Sequence, residues 1–186
     1  MKIKITYVLL AVMAFVFLFE LTFPQLVEEL AFSSETIGAA PWTIITAVFV
    51  HADLSHLAAN LIAIWFFGLA VEKSRGKKPV VLIFFLGAIV GEAVSLLTYP
   101  ADTLSLGASG GAFALLGMAM LVHPFMELSS WSGVATLPIV LLAALYIAYN
   151  FIGVFSGPSD IAYSAHFTGL AVGLAFGYAA RRKMRT

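Results

Sequence analysis

The chain has 186 residues, of which 61% are hydrophobic and 11% charged, with ten Lys and Arg against ten Asp and Glu. A mean hydropathy of +1.00 excludes an ordinary soluble domain, in which about a quarter of the residues carry charge. No cysteine is present, so disulfides, thiolate nucleophiles and cysteine-bound metals are excluded.

The charges that do occur are segregated. Basic residues form three groups: Lys2 and Lys4; Lys73, Arg75, Lys77 and Lys78; and Arg181, Arg182, Lys183 and Arg185. By the positive-inside tendency each group faces the cytoplasm, so an even number of spans separates one from the next. Glu20, Glu28, Glu29, Glu35, Asp53, Asp102 and Asp160 then lie on the outer side.

In chain order, the first apolar segment covers 5–19 and is read as a retained span, because no small-x-small cleavage pattern closely follows Phe19. An acidic outer loop with Pro24 and Pro41 leads to a second span at 54–71. A third covers 79–100, interrupted by Glu92, and a fourth lies within the uncharged run 103–126. A fifth is expected near 132–152 and a sixth near 161–180. Lipid offers backbone groups no partners, so the spans are helices. The expectation is an all-α membrane protein: one domain over 1–186, six transmembrane helices, both termini cytoplasmic. Tyr99, Trp131 and Tyr163 suit interfacial anchoring.

The fourth span opens on "LGASGGAFALLG", Leu106 to Gly117. Ser109 precedes His123, at the cytoplasmic end of that span, by 14 residues, about 21 Å at ~1.5 Å per residue. In a hydrocarbon core about 30 Å thick, the serine is on the order of 10 Å below the outer surface. The loop 103–108 must therefore dip into the bundle, where irregular backbone survives only if protein or a wet cavity surrounds it. His166 is 15 residues before Arg181, and Asn60 and His56 are 12 and 16 before Glu72, which places them about 22, 18 and 24 Å above the cytoplasmic edge. Four polar side chains thus share one layer, and His56 and Asn60, four apart, share a helix face.

Ser, His and Asn at one depth suit acyl transfer, in which a serine oxygen attacks a carbonyl as a histidine removes its proton. The oxyanion can be met by Asn60, by the His56 ring and by the Ser109 backbone N–H at a helix start. Gly107 and Gly110 let a substrate approach that backbone. Gly169, Gly173 and Gly177 repeat every four residues below His166, so the sixth helix can pack closely on the fourth.

"HADLSHLAAN" ending at Asn60, "GASG" around Ser109 and "AHFTGLAVG" around His166 resemble, in that order along the chain, the motifs of the rhomboid intramembrane serine proteases. The likeness runs from about Trp42 to Gly177. It implies Ser109 as nucleophile, His166 as general base, and His56 and Asn60 in the oxyanion hole. His51 matches a family histidine ahead of the second span, with a structural role. Where many bacterial members have Trp-Arg in the first outer loop, Trp42 is followed by Thr43, and a common tyrosine is replaced by Phe113, whose ring can still stack on the histidine. The likeness implies the minimal six-helix form. Its substrates would be transmembrane proteins with small or helix-breaking residues near the cut, met in the lipid of the cell membrane and cleaved near the outer face. No cofactor, metal ion or nucleic acid is expected.

Two bland readings compete. Intramembrane polar residues also mark permeation paths, but the sequence has no inverted repeat, and 12 to 16 residues separate the polar layer from the cytoplasmic edge, which suits a cavity and not a pore. A helix-binding protein that does not cut would not need both Ser109 and His166. Asp160, six residues before His166, lies in a loop and is not expected to complete a triad. Glu92 belongs to no motif; a buried acid is costly, and a paired or protonated structural role is expected.

Overall fold

The computed structural model describes residues 3–125, 138–154 and 162–182. Lys2, Trp131, Asp160, Lys183 and Arg185 lie outside the described residues. Helix α1 (Ile5–Thr22) leads through two short helices, α2 (Gln25–Leu30) and α3 (Thr43–Thr46), and a 3-10 turn at Ala47–Phe49 to α4 (Leu54–Ala63). A π-helical turn, Ile64–Gly68, joins α4 to α5 (Leu69–Arg75), so these form one rod. Then come α6 (Lys77–Thr98), α7 (Ser109–Val122), α8 (Ile139–Val154) and α9 (Tyr163–Arg182). Among the described residues α1, the α4 to α5 rod and α6 are long and apolar enough to cross a membrane, and α7 and α8 are shorter apolar helices. This is an all-α membrane fold.

The sequence of α7 decides its place. It carries no charged residue and is apolar or small on every face, which is the pattern of a helix surrounded by others. Residues 110–119 are all buried. Leu9, Met13 and Phe17 of α1 join Ile64 and Phe67 of the rod, Phe84 of α6, Leu115 and Leu116 of α7 and Ala143 of α8 in one hydrophobic core.

Contacts at the two ends fix the up-and-down order. At one end the Glu72 carboxylate accepts from the backbone N–H groups of Ile5 and Thr6 at 2.9 and 3.0 Å and from the Thr6 hydroxyl at 2.7 Å. Those amides open α1 and have no partner within the helix, so a buried carboxylate satisfies them and complements the dipole. Arg75 donates to the Ala180 carbonyl at 3.1 Å. The start of α1, the end of the rod and the end of α9 therefore meet, bringing Lys4, Lys73, Arg75, Arg181 and Arg182 to one end of the bundle.

At the other end the loops hold one another. Phe32 and Ser105 exchange backbone hydrogen bonds at 2.9 and 2.7 Å, the Glu35 N–H donates to Ala101, and the Gly107 N–H donates to Ala47 at 2.8 Å. The loop before α7 thus has its polar backbone satisfied by the segment that follows α1. Ala108 is fully buried, as irregular backbone within the bundle requires.

Candidate active site

Ser109 is the first residue of α7, so its backbone N–H is among the four that a helix start leaves unpaired. His166 lies in the first turn of α9. Close packing brings these two helices together. A Cβ built on Gly169 would overlap the Gly110 carbonyl, and one on Gly173 would overlap that of Ala114. At Gly117 it would lie 2.6 Å from the Leu170 carbonyl oxygen. The expected stripe on α9 faces α7 along its length, and Ala171 is exposed on the opposite side.

One cavity of about 740 Å³ runs from the exposed loop residues Asp53 and Thr103 down to Ser109 and His166, with His56, Asn60 and Asn150 also in its wall. The structure therefore brings together the four polar residues that the depth count placed in one layer. Among the described residues, no hydrogen bond joins the Ser109 hydroxyl to the His166 ring.

The His166 ring is held on its face and on its edge. Phe113 stacks on it at 4.5 Å between centroids, 14° from parallel, and Tyr146 covers the other face of Phe113 at 5.0 Å. Nδ1 of His166 is 2.7 Å from Oδ1 of Asn150. Asn150 was not singled out from the sequence. A sufficient signal was present: an asparagine in the middle of the apolar run "LLAALYIAYNFIG" is costly unless it has a task.

On α4, Asp53 caps the helix by accepting from the His56 N–H at 2.8 Å and from the Ser55 hydroxyl at 2.5 Å. These two donors, the hydroxyl foremost, hold the Asp53 carboxyl below its ordinary range. One turn on, Asn60 Nδ2 donates to the His56 carbonyl at 3.0 Å, which leaves its second hydrogen available. Gly107 closes this corner at φ +107. A Cβ there would be 2.6 Å from Cε1 of His56 and 3.7 Å from Nδ2 of Asn60, so both conformation and space demand glycine.

Gly110 differs from the expectation of a substrate-facing backbone. It is buried, and a Cβ on it would point at Gly87 and Ala88 of α6 at 3.2 and 3.3 Å; its open side is taken up by packing. His51 is 1% exposed. Its ring lies edge-on to His56 at 5.2 Å, its Nδ1 meets the Phe49 carbonyl at 3.2 Å, and its backbone N–H donates to Glu20 at 3.3 Å. Burial pushes the His51 ring down to about 4, reinforced by His56 and opposed by the Phe49 carbonyl and Asp53. Glu92 is buried against the Ser105 hydroxyl in the loop before α7. Among the described residues no cluster of His, Asp or Glu is suited to hold a metal ion.

The helical membrane fold and this polar cavity define a class, and comparison with known sequences gives the family. The profile of the Rhomboid domain matches residues 38–183; the chain belongs to the rhomboid family. It is 29% identical to RHOMBOID-like protein 12, mitochondrial, of Arabidopsis thaliana, over 77% of the chain and 47% of that protein. It is 40% identical to Rhomboid-like protease 3 of Toxoplasma gondii over 41% of the chain and 28% of that protein. To the Rhomboid protease GluP of Bacillus subtilis it is 30% identical over 71% of the chain and 24% of that protein. The chain thus spans about half the length of the first of these relatives and less of the other two.

Proposed function

We propose that the chain is a serine endopeptidase that cuts transmembrane proteins within the bilayer, near its outer face, using Ser109 and His166. The observation that carries this reading is the sharing of one cavity by Ser109, His166, His56 and Asn60, in a chain of the rhomboid family. The names of GluP and the Toxoplasma relative as rhomboid proteases support it.

The chemistry follows from the groups present. The Ser109 oxygen attacks the scissile carbonyl carbon while Nε2 of His166 takes the hydroxyl proton. The carbonyl oxygen becomes an oxyanion that receives the Ser109 backbone N–H, the second Nδ2 hydrogen of Asn60 and the His56 ring N–H. Collapse breaks the C–N bond, and the amine leaves with the proton from His166. A water entering through the cavity then attacks the acyl ester as His166 takes its proton, and collapse breaks the bond to Ser109, whose oxygen recovers that proton from His166 as the acid is released. A substrate helix has its carbonyls engaged and must unwind locally to offer one, so small or helix-breaking residues near the cut are favoured.

The same reading makes six helices span the membrane, with the basic end of the bundle cytoplasmic and the cavity opening on the outer side. Cysteines introduced singly at Glu28 or Thr103 then react with an impermeant thiol reagent added outside cells, and one at Lys77 does not. Catalysis is tested with purified protein and a single-span substrate. Cleavage by the parent and its loss in Ser109→Ala support the assignment, whereas equal cleavage by both rejects it.

A further inference from the structure

Asn150 belongs to none of the motifs that define the site, yet its side chain is 2% exposed and held at both ends. Its Nδ2 donates to the Tyr146 carbonyl, one turn earlier on α8, at 2.9 Å. Its Oδ1 is 2.7 Å from Nδ1 of His166. A backbone carbonyl has no proton to give, so the end of the amide facing Tyr146 is the NH2 group and the end facing the imidazole is the oxygen, which only accepts. An acceptor at that distance requires the proton of a neutral imidazole to be on Nδ1.

We infer that Asn150 is a positioning residue that holds neutral His166 in the Nδ1–H tautomer, leaving the Nε2 lone pair to receive the Ser109 proton; this rests on the reading of His166 as the base. Neutral imidazole has two tautomers, and only this one has a lone pair on the nitrogen that Asn150 does not occupy. Phe113 fixes the tilt of the ring through its face, and Asn150 fixes rotation in the ring plane through its edge. When His166 takes the proton, Nδ1–H remains bonded to Asn150, now as a charge-assisted hydrogen bond. Asparagine supplies orientation without a negative charge. Helix geometry presets the arrangement, because the bond from Asn150 to the carbonyl four residues earlier is local to α8.

The test uses the purified parent with 15N-labelled histidine at about pH 8, above the ordinary histidine range, where ring nitrogen shifts distinguish the tautomers. The four histidines are assigned by single substitution. The expected result is a protonated Nδ1 at His166 in the parent. Asn150→Leu is expected to lose that signature and at least about tenfold in kcat, short of the roughly 10⁴-fold loss that a wrong tautomer causes in a soluble serine protease. KM should change less than kcat, within about twofold, because Asn150 is only 2% exposed in the cavity wall and acts through His166. Asn150→Asp, which keeps an acceptor, should retain the protonated Nδ1 and recover part of kcat. A parent His166 protonated at Nε2 overturns the inference, and this holds even if the leucine variant does not fold. So does an Asn150→Leu protein with kcat within about twofold of the parent. Failure of the protease reading is separately visible, since Ser109→Ala would then cleave like the parent, whereas the tautomer is read without turnover.

Discussion

The ring of Phe113 lies 4.5 Å from that of His166, 14° from parallel, so a side chain of α7 sets the attitude of a histidine on α9. A stacked pair of this kind contributes about 0.5–1.5 kcal/mol beyond its buried area. Phe113→Leu keeps an apolar filler but removes the stack. It should lower kcat about two- to tenfold with KM nearly unchanged, measured on folded protein selected by gel filtration.

The α7 to α9 seam makes a sharper prediction. Gly173 is seven residues beyond His166, and any side chain on it would run into the Ala114 backbone. Gly173→Leu should cost on the order of 1–3 kcal/mol in overpacking and, if α9 shifts by about 1 Å, roughly 10²-fold in rate. Gly173→Ala should be intermediate. Ala171→Leu, on the exposed side, should be close to neutral in both thermal unfolding and cleavage.

Much of this site was legible because helix rise converts residue number into depth. Ser109, His166, and the pair His56 and Asn60 come together from three helices, and counting from the expected cytoplasmic ends at His123, Arg181 and Glu72 put them at one level. The stripe Gly169, Gly173 and Gly177 was legible from its period of four. Long-range partners were not. Nothing local to Glu72 says that it caps α1, some 66 residues earlier. Nothing local to Phe32 says that it pairs with Ser105. The short helices α2 and α3 were hidden in a stretch that reads as loop, and Gly110 reads as a flexible approach to the serine although its neighbours on α6 make it a packing residue.

Gly107 offers a test of the corner formed with His56. Its φ of +107 and the 2.6 Å approach of a Cβ to the His56 ring mean that Gly107→Ala must strain the backbone, at a cost of about 1–3 kcal/mol, and also displace the ring. Cleavage should fall accordingly. In the double variant with His56→Ala the steric part is relieved, so the two stability losses should be less than additive. Strict additivity in thermal unfolding would show that the ring and Gly107 do not meet.

His51 gives a pH dependence. Its ring is neutral in the fold, with burial pushing it down to about 4, and it is faced by His56, Asp53, the Phe49 carbonyl and the Glu20 carboxylate at its backbone N–H. The unfolded ring titrates near its ordinary value of about 6.5. Acid therefore favours the unfolded state: the contribution is fully present above about pH 6.5 and is lost as pH falls towards about 4. The thermal midpoint should drop across that window, and more shallowly in His51→Asn. An identical pH slope in the two proteins would assign the effect to other groups.

The central claim is that Ser109 becomes a nucleophile because His166 takes its proton. The most direct measurement is the covalent mass added by a fluorophosphonate, which captures an activated serine. The expected result is one adduct, mapped by peptide mass spectrometry to Ser109, and absent from a folded His166→Ala variant. An adduct on a different residue, or one on Ser109 that forms equally fast without His166, would contradict the account.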